Sequence, residues 1–173
     1  MTISVIGLNH KSADIDVRGN FSFTADNAAL LLRRIKKNKE IHEVVVVSTC
    51  NRTEIYCESE SGSEDIEKWL LSEKEYKSFS EHLYVYQEED AIKHLFKVVA
   101  GLDSMVIGER EVLGQVKNAY KIALENKTID SKLKRLFEYS FSVAKNVRTN
   151  TDIGGNAISF MYTSILLIKK IFS

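Results

Sequence analysis

The 173-residue chain contains no proline. The usual rigid punctuation is therefore missing, and boundaries must come from glycine, asparagine, aspartate and capping side chains. Only two cysteines occur, Cys50 and Cys57, and no C-x-x-C. That excludes a disulfide scaffold and a cysteine zinc site. The four histidines show no i, i+4 pairing, so no metal is expected. Both G-x-G-x-x-G and G-x-x-x-x-G-K-[ST] are missing, so the chain carries no recognisable dinucleotide or nucleoside-triphosphate loop. No run of about 18 apolar residues is present, which argues against a transmembrane helix. The start, Met1-Thr2-Ile3-Ser4-Val5, lacks the basic lead of a secretory signal. Reduced thiols and a cytoplasmic location, without membrane attachment, are the expectation.

Neither sign of charge is in excess: 24 Lys and Arg balance 24 Asp and Glu. A strongly basic nucleic-acid binder is excluded by whole-chain charge. The charges are unevenly spread, however. Glu54 to Asp90 holds 12 acidic and 3 basic residues, and Glu111 to Asn150 holds 8 basic and 4 acidic. Such asymmetry marks either two solvated helical faces or opposite faces for opposite partners. With 44% hydrophobic and 28% charged residues, the composition is that of a globular protein with one core.

The period of the apolar residues predicts an α+β fold. Residues 2–9 alternate and read as a strand, and 10–20 read as a loop. Thr24 is an N-cap for a helix carrying Ala28, Leu31, Leu32 and Ile35. Val44 to Val47 form a buried-type strand within 43–48. Ile55-Tyr56-Cys57 is another strand, 64–71 a helix with Ile66, Trp69 and Leu70, and 83–86 a strand. The order β-α-β-β-α-β predicts a ferredoxin-like sheet. Three helical stripes follow, the first ending near Gly101 and the third capped by Asp130 or Ser131. A last helix is expected from Ala157, with Ile158, Met161, Ile165, Ile168 and Phe172.

Cys50 is the sharpest chemical candidate. It ends a buried-type strand in a polar connection beside Asn51 and Arg52. A strand end gives rigid positioning with access, and a nearby cation raises the thiolate fraction. An inert loop thiol fits that position equally. Cys57 shares a face with Ile55 and reads as a core thiol. His94 opens a helix, either as an acid/base partner of a thiolate or as a half-buried structural histidine. Asn9, His10 and Lys11 follow the first strand and face the same edge, whereas His42 and His82 read as surface residues. Such a chain is compatible with a Cys–His thioesterase or hydrolase, or with a non-catalytic binding module.

Three segments carry more than generic information. They are Gly7-Leu8-Asn9-His10-Lys11-Ser12-Ala13, Ser48-Thr49-Cys50-Asn51-Arg52-Thr53-Glu54-Ile55-Tyr56, and His94-Leu95-Phe96 running into Gly101 to Glu109 and Leu113 to Lys117. Together they resemble the glutamyl-tRNA reductase family, in order and over nearly the whole chain. The resemblance implies that Cys50 attacks the glutamyl ester of glutamyl-tRNA. The resulting thioester is then reduced by NADPH to glutamate-1-semialdehyde, the first step of tetrapyrrole synthesis. His94 matches the family's active histidine. Thr49, Asn51, Arg52, Ser104, Glu109, Arg110, Glu111 and Gln115 match its substrate-binding positions. Arg52 is suited to a carboxylate, and a carboxylate near Glu109 to the α-ammonium.

The resemblance further implies a catalytic domain over 1–155, with a sheet part at 1–88 and a helical part at 89–155. Residues 156–173 would begin a connecting helix. In the family that helix leads to an NADPH-binding and a dimerisation domain, neither within this chain. The full-length family member is a homodimer, with hand-over to glutamate-1-semialdehyde aminomutase. The sequence departs from the family at Arg110 and Glu111, where proline and glutamine are usual. It departs also at Asp14, a usual proline, and Asn150, a usual glutamate.

Overall fold

The computed structural model describes residues 1–73 and 76–154. Four strands, β1 (Thr2–Asn9), β2 (Ile41–Ser48), β3 (Arg52–Ser59) and β4 (Tyr84–Gln87), form one sheet in the order β2-β3-β1-β4. Every neighbouring pair is antiparallel, so β1 and β2 run the same way with β3 between them. Helices α1 (Ile15–Asn20) and α2 (Ala25–Ile35) connect β1 to β2. Helix α3 (Ser63–Ser72) and a 3₁₀ turn at Lys77–His82 connect β3 to β4. Helices α4 (Glu88–Ala100), α5 (Glu111–Glu125) and α6 (Lys132–Asn150) follow. The α+β class is as expected. The helix expected from Ala157, and the connecting segment 156–173, lie outside the described residues.

Both faces of the sheet are covered, which is why Val44 to Val47 are all buried rather than alternating. On one face Ile55 and Cys57 pair with Val46 and Val44 and turn toward α2 and α3. Cys57 Sγ lies 3.1 Å from Ser4 Oγ, and burial pushes its thiol up to about 11. This is the inert core cysteine that its strand position implies. On the other face Arg52, Glu54, Tyr56 and Glu58 turn toward α4, α5 and α6. There the Tyr56 ring meets Phe137 edge-on at 5.4 Å. One contiguous cluster of buried side chains runs from Val5 to Ala144 and includes both layers of helices.

The stretch 10–20 is not wholly loop. Asp14 accepts from the Val17 N–H at 2.9 Å and caps α1. No residue of α1 is buried, so the helix leaves no hydrophobic period to read. Helix α4 ends at Gly101, whose φ of 78° suits the left-handed C-terminal cap.

The start of α6 is held from outside the helix. Ser131 caps nothing with its side chain. The Glu43 carboxylate of β2 instead accepts from the N–H groups of Asp130, Lys132 and Leu133 at 2.9–3.0 Å. Orphan N–H groups and the helix dipole are thereby satisfied by one buried anion. Glu43→Ala is expected to cost about 2 kcal/mol in urea unfolding. Faster hydrogen exchange at the Leu133 amide should accompany it. Unchanged exchange there would mean that α6 is capped by other means.

Candidate active site

The β2–β3 hairpin is closed by Thr49. Its N–H donates to the Arg52 carbonyl at 2.8 Å. Its Oγ1 accepts from the N–H groups of Asn51 and Arg52 at 3.2 and 3.1 Å. Cys50 and Asn51 are the two central residues of this turn. Neither has positive φ, so the turn is not the primed type that matches strand twist, and the threonine side chain holds it instead. Cys50 is exposed. The tip is pinned by the His10 N–H, which donates to the Asn51 carbonyl at 3.0 Å.

Beneath the tip lies a buried charged cluster. Glu54 and Arg52 are 0% and 1% exposed. Glu54 Oε1 accepts from Arg52 Nη1 at 2.8 Å, His94 Nε2 at 2.8 Å and the Tyr84 hydroxyl at 2.5 Å, and Oε2 accepts from the Tyr56 hydroxyl at 2.6 Å. Burial alone would raise the Glu54 carboxyl. The Arg52 charge and the hydrogen bonds from His94 and Tyr56 hold it far below the usual carboxylate range. Burial and the Glu54 charge push Tyr56 and Tyr84 well up, so both stay as donors. An ionised carboxylate only accepts, so His94 Nε2 carries a hydrogen. The imidazole lies 4.9 Å from the Tyr86 ring.

A third segment closes over this cluster. The loop 101–110 brings Asp103 between Arg52 and Lys11. Arg52 Nη2 donates to the Asp103 carbonyl and to Oδ2, the latter at 3.1 Å, and Lys11 Nζ pairs with Oδ1. Burial would raise Asp103, but the Lys11 hydrogen bond and the Arg52 charge hold it below its ordinary value. His10 is pushed down by burial and by the Arg52 and Lys11 charges, which favours the neutral imidazole. Two polar atoms here are buried without a hydrogen-bond partner, His10 Nδ1 and Ser104 Oγ. An open pocket of about 350 Å³ is lined by Asn9, Lys11, Tyr86, Lys93, His94 and Asp103 among others.

The expected site residues fall into two groups. Thr49, Cys50, Asn51 and Arg52 share the hairpin, and Arg52 reaches both His94, through Glu54, and the loop that carries Ser104. Cys50 itself has no side-chain partner among the described residues, and Arg52 and Glu54 separate it from His94. Glu109, Arg110, Glu111 and Gln115 lie further along, where the loop enters α5. Glu109 is buried, and its carbonyl accepts from Arg148 Nη2 at 2.7 Å. His42 and His82 are half-buried rather than on the open surface. His42 Nε2 lies 3.0 Å from Glu60, and His82 Nδ1 lies 3.2 Å from the Ser12 carbonyl.

Glu54, Tyr56, Tyr84 and Asp103 are not singled out by the sequence reading. The pattern Arg52-x-Glu54-x-Tyr56 was the available signal. Two opposite charges two residues apart share one face of a strand, and on a covered face they must pair. Among the described residues no group of three or more metal-ligating side chains converges. No described helix is long and apolar enough to cross a membrane.

Fold and site define an α+β domain that presents one exposed thiol at a hairpin tip above a buried arginine–glutamate–histidine cluster. The family model of the glutamyl-tRNA(Glu) reductase N-terminal domain matches residues 6–151, and the chain belongs to that family. A glutamyl-tRNA reductase of Aliivibrio fischeri is 42% identical, over 99% of this chain and 42% of its own length. One of Idiomarina loihiensis is 41% identical, over 100% of this chain and 41% of its own. The solved glutamyl-tRNA reductase of Methanopyrus kandleri superposes with a TM-score of 0.79 at 28% identity, covering 97% of this chain and 39% of that one. The chain thus spans about two fifths of the length of the relatives it matches.

Proposed function

We propose that this chain performs the acyl-transfer half of glutamyl-tRNA reduction, with Cys50 as nucleophile. The observation that carries the reading is the exposed Cys50 on a pinned turn beside two buried, unpartnered polar atoms and an arginine. The Cys50 thiolate attacks the carbonyl carbon of the glutamyl ester. A sulfur–carbon bond forms, the bond from that carbon to the ribose oxygen breaks, and the departing oxygen takes up a proton.

Substrate recognition follows from the same groups. The glutamyl side-chain carboxylate replaces the Asp103 carboxylate at Arg52 Nη2, and Asp103 keeps Lys11. Ser104 Oγ and His10 Nδ1 then gain partners. Thr49 and Asn51 hold the turn, and Glu109, Glu111 and Gln115 with Arg110 form the far wall toward α5. His94, held by Glu54 through Nε2, is the proton-transfer group of this reading.

The reducing half belongs to the family's reading and calls for NADPH. The described residues do not fit that cofactor: the sheet is antiparallel, and no glycine-rich turn joins a strand to a helix N-terminus. The homodimer, the hand-over to an aminomutase, the catalytic-domain boundary at 155 and the cytoplasmic setting stand with this proposal as properties of the family's full-length members.

Incubation with glutamyl-tRNA without a hydride donor should add one glutamyl group, read by intact mass. Cys50→Ser should remove the adduct entirely. Bound tRNA with no adduct in the parent would instead leave a binding module with an idle thiol.

A further inference from the structure

A groove of about 480 Å³ runs between α5 and α6, lined by Arg110, Lys117, Lys145 and Arg148 over Leu113 and Phe141. Among the described residues no carboxylate lines it. Lys117 Nζ stands 5.6 Å from the centre of the Phe141 ring, and Arg148 Nε is buried without a hydrogen-bond partner. Burial and the charge of Arg110 push the Arg148 guanidinium down. Some cations elsewhere on the helices are matched, among them Lys93 with Glu89, Lys121 with Glu125, and Lys132 with Glu58. Lys117, Lys145 and Arg148 have no such match among the described carboxylates. Like charges gathered without a counter-ion repel, and a polyanion relieves that repulsion.

The groove is physically joined to the thiol. Arg148 Nη2 holds the Glu109 carbonyl, and six residues earlier Asp103 is held by Arg52, two positions after Cys50. Six residues of chain span at most roughly 20 Å, about the length of six nucleotide rises along one strand. The loop's contact with the groove is therefore within about that distance of its contact with Arg52. The acidic α3, with Glu64, Asp65 and Glu67 in its first turns, lies across the sheet from α6. The field thus directs a polyanion to this side.

We propose that the α5–α6 groove is a docking site for the phosphate backbone of RNA. Resting on the reading above, the occupant is the strand of glutamyl-tRNA that leads into the esterified end. Lys117 and Lys145 contact phosphates, and Arg148 offers its unpartnered Nε. Arg110 lines the same groove, at a position where the family resemblance leads one to expect proline.

The test uses labelled tRNA and the 173-residue chain, with anisotropy followed from 50 to 200 mM salt. Lys117→Gln/Lys145→Gln replaces two exposed side chains without touching the site. Affinity at 50 mM salt should fall about tenfold, and the slope of log K against log salt should become shallower by about 1.5. Acylation of Cys50 by 2′(3′)-O-glutamyl-adenosine, too short to reach the groove, should match the parent. Parent-like affinity and slope in the double variant would overturn the groove, as would an equal loss with the short donor. Displacement of the RNA by polyglutamate at equal charge would overturn it in favour of an acidic protein. A parent that is acylated by neither donor, but whose salt slope still depends on both lysines, sinks the catalytic reading alone and leaves the groove standing.

Discussion

Glu54→Gln is expected to destabilise the fold by about 3–5 kcal/mol, because it leaves Arg52 buried with part of its charge uncompensated. In a chain of this size that lowers Tm by roughly 10 °C. The loss should also depend on pH, with a definite sign. Unfolded, a glutamate titrates near 4.3; in the fold Glu54 is held far below that. A carboxylate depressed on folding contributes fully above its unfolded pKa and loses that contribution as pH falls toward the folded value. The stability difference between parent and Glu54→Gln should therefore be largest near neutrality and shrink steadily below about pH 5. Asp103 is shifted the same way, so the variant itself should keep a weaker acid sensitivity. Urea unfolding at a series of pH values measures both curves. A difference that stays constant down to pH 2 would show that the Glu54 charge is not what the cluster needs.

Gly7→Ala should be nearly as damaging, for a steric reason. Gly7 pairs with Glu54 across β1 and β3. A Cβ there would stand 2.5 Å from the Thr53 carbonyl oxygen and 2.9 Å from Glu54 Cα and Cγ. Two of these atoms are backbone in a central strand and cannot move aside without breaking the ladder. A loss of about 3 kcal/mol or more follows. The carboxylate that fixes His94 and Arg52 is also displaced, so thioester formation should fall with stability. Gly114→Ala is the matched control. It lies inside α5, and a Cβ there meets nothing within 4 Å, so about 0.5–1 kcal/mol should be gained. Equal effects of the two substitutions would remove the close-approach argument.

The elements with a strong apolar period were legible in the sequence. Thr24 caps α2 as its position implied, with Oγ1 accepting from Asn27, and Ala28, Leu31, Leu32 and Ile35 are the buried stripe. Helix α1 was not legible, because its stability comes from Asp14 and not from burial. The bond from Glu43 to the start of α6 was hidden too. The two segments lie 87 to 90 residues apart, and no local pattern links them. In the site, Cys50 and Arg52 announced themselves by type and neighbourhood. Glu54 and Asp103 did not, because a carboxylate in a strand or loop reads as solvated until the opposite face is known to be covered. The pairing of Asp103 with Lys11 and Arg52 is wholly tertiary.

That last contact has a kinetic consequence. Asp103 lies 92 residues from Lys11 and 51 from Arg52 in the chain, so the clasp closes only after segments far apart in the chain have met. Contacts of such sequence separation form late, once loop entropy has been overcome. During synthesis the hairpin with Cys50 emerges and folds well before residue 103 is available, as an ordinary thiol on a strand turn. Alkylation of Cys50 by a charged reagent, followed through refolding, would therefore change rate in the last phase and not with collapse. The clasp over Arg52 is thus the last part of the site to be assembled, on a hairpin that already carries Cys50.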